Sequence, residues 1–232
     1  MTESAHKLAI MPQNTRLMAF FLGSVGGCLD VFSHMQFGTL IATQTGNILL
    51  LIADWGEKNL TKTLDSILSL VFFTIGFILA ILFKERAKNA HWRSVGILPL
   101  FISSFLYPFF SEYKLIWIPL LAASTGMMML TFTGSKIEEH DYVIMMTSGN
   151  YRKMVTAWFD FLRFKDRRPL IKRQAINYSI VVGSFVGGAI ITGILTHIFQ
   201  TYAIWCVTAV LFAIILVYTT LVKAYDLEEE VL

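Results

Sequence analysis

Asp30 sits inside an apolar segment, in the run Gly26-Gly27-Cys28-Leu29-Asp30, and His34 follows it by four residues. On a helix that spacing puts both on one face. An acid beside an imidazole can pass a proton or hold a cation, and an acid at membrane depth is a functional candidate by default. The structural alternative is that Asp30 braces a neighbouring broken helix by accepting backbone N–H bonds. His34 lies nearer the end of the segment, where an ordinary interfacial histidine fits equally well.

Two Gly-Asn dipeptides stand in apolar surroundings. Thr45-Gly46-Asn47 follows the segment that contains Gly23, and Ser148-Gly149-Asn150 follows the segment that contains Gly126, with 24 residues from glycine to asparagine in both. Gly and Asn favour turns and caps over helix interiors. A duplicated pair at membrane depth predicts broken helices, which line a site or a path rather than face lipid. Half-helix N-termini offer free N–H groups and a partial positive charge, suited to an anion or a polar solute. Asn amides both donate and accept. On the other reading Thr45 and Ser148 cap the half-helices, and Asn47 and Asn150 satisfy freed backbone. The repeat offset of 103 puts Thr133 where Asp30 stands, so the acid is absent from the second copy.

Other residues carry weaker signals. Arg152 and Lys153 follow the second motif and either draw anions into a vestibule or snorkel to the interface. Gly183, Gly187 and Gly188 form a small-residue face for helix packing, within the protomer or between subunits. Met127, Met128 and Met129 point around a helix and read as packing rather than a metal site. Cys28 and Cys206 lie in apolar segments and suggest neither a disulfide framework nor a metal site. Val25-Gly26-Gly27-Cys28 faintly resembles a lipoprotein cleavage box, but cutting there would destroy the first copy of the repeat, so an uncleaved span is expected. Trp92, Tyr113, Trp117, Tyr202 and Trp205 fall at segment ends and read as an interfacial belt. No nucleotide-binding loop, zinc spacing or nucleophile elbow is present. The expectation is no catalytic residue, no metal, no cofactor and no enzyme activity.

The elements that must position these residues follow from composition. Hydrophobic residues make up 55% of the 232 and charged residues 15%, against about 25% charged in soluble domains. Mean hydropathy is +0.61. The class is a polytopic membrane protein, and a net charge of +3 is too small to imply nucleic acid. Six apolar segments are long enough to cross: Leu17–Phe37, Ser66–Phe83, Ser94–Phe110, Leu115–Thr133, Ala175–His197 and Tyr202–Val222. Two shorter ones, Ile41–Ala53 and Tyr142–Leu162, do not read as simple spans.

Charge distribution sets the orientation. The loops Lys84–Arg93 and Arg163–Arg173 carry ten of the 19 Lys and Arg, so both are expected on the cytoplasmic face. Two spans and the Tyr142–Leu162 stretch separate them, so that stretch must enter and leave on one side. Asp54–Asp65 is mildly acidic, Ser111–Lys114 is neutral and His197–Thr201 has no Lys or Arg; acidic Ser135–Asp141 falls inside. The expected fold is all-α: six transmembrane helices in two inverted three-helix repeats, each with a re-entrant or broken helix. The divisions are a cytoplasmic segment 1–16, a first membrane repeat 17–110, a second 111–222 and an acidic tail 223–232, with both termini cytoplasmic. Inverted repeats of this plan are common in transporters and channels.

Gly23-x-x-Gly26-Gly27-x-x-Asp30, then Phe37-Gly38, then Thr45-Gly46-Asn47, with a degenerate second copy at Ser148-Gly149-Asn150, resembles the YoaK family of bacterial inner-membrane proteins. The resemblance covers nearly the whole chain. It implies an integral inner-membrane protein with about six spans and implies no substrate. The second copy departs from it by Ser for Thr, and Met127–Met129 fill positions often small. The leading functional expectation is a transporter or channel for a small polar solute or ion, partnered by the lipid bilayer, with a homo-oligomer left open. The rival is a membrane accessory or assembly protein whose broken helices are structural.

Overall fold

The computed structural model describes residues 11–87, 89–164 and 168–225. Lys7, Lys88, Lys165, Asp166, Arg167 and most of the acidic 223–232 tail lie outside the described residues, as does the Arg168 side chain. Eight helices are described: α1 Arg16–Phe37, α2 Gln44–Gly56, α3 Leu60–Glu85, α4 Trp92–Leu106, α5 Lys114–Thr131, α6 Ser148–Arg163, α7 Arg168–Phe199 and α8 Trp205–Ala224. Each of the six long apolar segments falls on a helix, and the two short ones fall on α2 and α6. Four stretches among the described residues are long and apolar enough to cross a membrane: Arg16–Phe37, Leu60–Glu85, Lys114–Thr131 and Pro169–Ala224, the last covering α7 and α8. α4 has 15 residues and runs on into a 3-10 turn, Tyr107–Phe109.

Local chemistry sets the helix ends. Thr15 caps α1 by accepting from the Met18 N–H, and Gly38, at φ 78°, ends it in the left-handed region that glycine tolerates. Asn59 caps α3 through the Lys62 N–H.

Close packing joins the two halves of the chain. α1 packs along α7, and α3 along α5. Gly23 and Gly27 of α1 lie against Val181, Ser184 and Phe185, while Gly188 of α7 lies so near Ser24 that a Cβ there would stand 2.6 Å from its carbonyl oxygen. Gly126, one repeat after Gly23, meets Phe73 of α3 in the same way, and Gly76 meets Ala123. Backbones approach closely only where side chains are this small. A Cβ added at Gly183 or Gly187 would meet nothing within 4 Å. Of the small-residue face, only Gly188 packs within the protomer. The short helices follow the same exchange, α2 lying on α3 and α6 on α7.

The bundle has two ends. At one, Arg93 in the first turn of α4 donates to the Thr131 carbonyl that closes α5, and the Tyr218 hydroxyl near the end of α8 donates to Ala90 O at 3.1 Å. A hairpin, β1 Lys136–Ile137 and β2 His140–Asp141, follows α5. It joins Arg16 of α1 and Arg173 of α7 through Glu138. Helical and loop expectations did not include this hairpin; Glu138, at φ 58°, makes its tight turn. At the other end, Lys114 Nζ opens α5 by donating to Phe37 O at 3.1 Å and pairing with Asp65 at 2.5 Å. The Trp205 indole donates there to Phe105 O.

The belt expected from the aromatic residues is only partly outward. Tyr113, Tyr202 and Trp205 are exposed, whereas Trp92 and Trp117 are buried. Trp117 turns inward because its indole N–H finds Phe110 O at 2.6 Å and its ring meets Tyr107 edge-on at 5.6 Å.

Candidate functional site

One turn of α1 touches the start of both short helices. Asp30 is 6% exposed. Its Oδ1 accepts from Ala42 N at 2.8 Å and Thr43 N at 3.1 Å, and its Oδ2 accepts from the Thr43 hydroxyl. Those donors belong to the irregular stretch that leads into α2, which would otherwise bury unpaired N–H groups. Four residues earlier, Gly26 lies under the stretch that leads into α6. A Cβ at Gly26 would stand 2.5 Å from Met145 O and 2.6 Å from Met145 Cα. Met145 itself sits at φ 57°. Gly26 serves one short helix by having no side chain, and Asp30 serves the other through its carboxyl oxygens.

The two asparagines do the same job at the two starts. Asn47 Oδ1 accepts from Leu40 N at 2.8 Å while its Nδ2 donates to Leu40 O at 2.6 Å. Asn150 repeats this seven residues back, with Val143 N at 2.9 Å and Val143 O at 2.6 Å. The carboxamide mimics a strand neighbour and ties the extended lead-in to the first helical turn. Both asparagines are buried.

Beyond this shared clamp the copies differ. Asn47 also meets Thr39 Oγ1 at 2.9 Å, Gln44 Oε1 at 2.8 Å and Ser69 Oγ at 3.0 Å. Ser69 reaches in from α3 to donate to Leu40 O at 2.7 Å. Asn150 adds one bond, to Met146 O at 2.8 Å.

The remaining expected residues lie around this core. Thr45 and Ser148 are exposed, with Gly46 and Gly149 half-buried beside them. Gly46 is fixed by Leu40: a Cβ would stand 2.5 Å from Leu40 Cδ1. Thr133 is exposed, and its hydroxyl bonds back to Met129 O, so it takes no part in the α6 lead-in. His34 is exposed at the far end of α1. Asp30 and His34 form no hydrogen bond among the described residues. Asp30 turns to Ala42 and Thr43, while His34 borders an open cavity of about 580 Å³ with Asp54, Asn59, Lys62 and Lys114.

The opposite end carries the clearest charge network. Glu138 takes Arg173 Nε at 2.6 Å and Nη2 at 2.8 Å, Asn177 Nδ2 at 3.0 Å, and Arg16 Nη2 at 3.3 Å. The Arg173 guanidinium, supported by Asn177 and Arg16, holds the Glu138 carboxyl below the usual carboxylate range. Among the described residues no group of three or more His, Cys, Asp or Glu could hold a metal.

Sequence reading missed several members of the core. Leu40 and Val143 differ by the same 103 residues as the asparagines, a signal that was present. Ser69, Gln44 and Thr39 had none, because hydroxyl and amide partners recruited across helices leave no periodic trace.

Long apolar helices, two short helices starting against the middle of α1, and a clamp at each start define an all-helical membrane protein, apart from one small hairpin. The chain belongs to a family described as a protein of unknown function, DUF1275, whose model matches residues 18–217. It is similar to the UPF0700 transmembrane protein YoaK of Bacillus subtilis (strain 168), 23% identical over 211 residues, which cover 88% of this chain and 93% of that protein. No solved structure matches.

Proposed function

We propose that the chain is a transporter or channel for a small polar solute or ion, built as two inverted repeats with six crossings. In this reading α2 and α6 are re-entrant and enter from opposite faces of a bacterial inner membrane. Both termini and the two basic loops then lie in the cytoplasm, and the chain works by passage rather than by catalysis. The observation that carries the reading is the meeting of both short-helix starts on one turn of α1, at Gly26 and Asp30. Two further features support it. The helix pairings exchange under a swap of the two halves, and the Leu40 and Val143 clamps are offset by the repeat length. Half-helix starts facing each other at mid-depth are where inverted-repeat transporters hold their cargo.

The test is flux in proteoliposomes against a panel of small polar solutes and ions. Uptake above protein-free vesicles for any member supports passage, and uptake at the vesicle background for all of them removes it. One observation favours the second reading, an accessory or assembly protein. The polar atoms of Asp30, Asn47 and Asn150 are spent on backbone and on neighbouring side chains. In the transport reading these residues are therefore scaffold, and the contact groups are the exposed Thr45 and Ser148 hydroxyls beside them.

A further inference from the structure

We propose that the cavity between α6 and α7 binds the phosphate-bearing headgroup of an anionic phospholipid. The cavity measures about 270 Å³ and is lined by Arg152, Lys153, Thr156, Asp160, Gln174 and Tyr178. Its two cations are held differently. Lys153 Nζ donates to Asp141 O at 2.7 Å and lies 5.5 Å from the centre of the Tyr178 ring, so it is fixed as part of the wall. Arg152 has no partner among the described residues and offers a planar fork of donors that suits a phosphate. Thr156 adds a hydroxyl. Asp160 subtracts one charge and leaves the cavity net positive, and Arg163 and Lys172 add cations at the same end of the bundle.

A lipid fits better than a free anion because of the rest of α6. Tyr151, Val155, Phe159 and Leu162 are exposed and recur at helical spacing, so they make an apolar stripe beside the polar face. A basic face beside an exposed apolar face matches a lipid, whose charged headgroup meets the one and whose acyl chains meet the other. Basic pockets between helices on the side of the basic loops take anionic headgroups. The cavity has room for a headgroup, and the stripe offers the surface along which acyl chains would lie. This assignment stands apart from transport and holds or fails independently of it.

The test uses the full chain in detergent, with phosphatidylglycerol, phosphatidylcholine and inorganic phosphate as separate additions. Thermal unfolding midpoint and lipid retention in native mass spectrometry are the readouts. Phosphatidylglycerol should raise the midpoint and remain bound, while the other two should not. Arg152→Gln should leave the lipid-free midpoint unchanged, since that side chain has no partner among the described residues. It should weaken phosphatidylglycerol binding roughly five-fold, the worth of about one interfacial cation. Adding Lys153→Gln should weaken it further. Equal retention of phosphatidylglycerol and phosphatidylcholine overturns the proposal, as does undiminished binding by Arg152→Gln. An equal midpoint gain from inorganic phosphate reassigns the site to a free anion. Equal weakening by Lys172→Gln, outside the cavity lining, replaces the site with diffuse charge attraction.

Discussion

Asn47 closes its carboxamide on both the N–H and the carbonyl of Leu40, at 2.8 and 2.6 Å. That clamp ties the extended lead-in to the first turn of α2. It explains why an asparagine, a poor helix former, occupies the first turn of α2, where it is one of the few buried residues of that helix. Asn150 does the same for Val143, so the two breaks share one solution.

Removing either amide strands a part-buried peptide group. Asn47→Ala and Asn150→Ala should each destabilise the protein, by about 1–3 kcal/mol for one orphaned polar partner. Asn47→Ala should cost more, because Asn47 also serves Thr39, Gln44 and Ser69. Thr45→Ala and Ser148→Ala, at exposed sites, should stay within about 0.5 kcal/mol. Thermal unfolding in a fixed detergent ranks the four. A larger loss at Thr45 than at Asn47 would contradict the clamp.

Gly26 and Gly183 make a matched pair. Gly26→Ala drives a methyl into the Met145 backbone, whereas Gly183→Ala meets open space. Overpacking of a filled site costs typically 1–3 kcal/mol, so the first variant should unfold at lower temperature. The second should match the parent or exceed it slightly through helix propensity.

Asp30 separates brace from relay. Its carboxylate serves Ala42 N, Thr43 N and the Thr43 hydroxyl. As a brace, Asp30→Asn should lose about 1–3 kcal/mol of stability from weakened charge-assisted bonds, while flux per folded molecule survives. A stable Asn variant without flux would instead assign Asp30 a proton or cation step.

Glu138 gives the acid limb of stability its shape. Its folded-state pKa is depressed, chiefly by Arg173. The network therefore contributes fully above the unfolded glutamate value of 4.5, and that contribution fades as pH falls from there through the lower folded value. Glu138→Gln should lower the midpoint at neutral pH and leave little difference from the parent at the acid extreme. An equal gap at every pH would contradict the pairing.

Much of this architecture was legible in the sequence. The long apolar runs located the helices, with the starts of α3 and α7 lying six and seven residues earlier than the apolar runs, since hydropathy over a span-length window is a strong signal for the span but not for its polar first turns. The Gly-Asn duplication marked the starts of both short helices, at Gln44 and Ser148, because Gly and Asn have few other reasons to sit together in apolar sequence. The chemistry inside the breaks was less legible. Asp30 and His34 share a helix face by spacing, yet the fold brings Ala42 and Thr43 to Asp30 and leaves His34 by a cavity at the bundle end. The inward turn of Trp117 depends on Phe110 O, a backbone atom that no side-chain pattern marks. The hairpin at Lys136–Asp141 is too short to show a strand period.

Orientation has its own check. Single cysteines at Arg86 and Lys172, in a chain with Cys28 and Cys206 replaced by Ser, should label from the same side of sealed vesicles. A cysteine at Lys58 should label from the other. Labelling of 86 and 172 from opposite sides would mean that α6 crosses and that the halves are not inverted.

The most direct test of a path asks whether water reaches the two breaks. In the same cysteine-free background, Thr45→Cys and Ser148→Cys are treated in sealed vesicles with a small, charged, membrane-impermeant thiol reagent, added to one side at a time. A path between the broken helices predicts reaction at both positions, at 45 from outside and at 148 from the cytoplasmic side, each well above a lipid-facing control at Ile191. Rates at both positions no higher than at 191 would contradict it and leave the broken helices as scaffold alone.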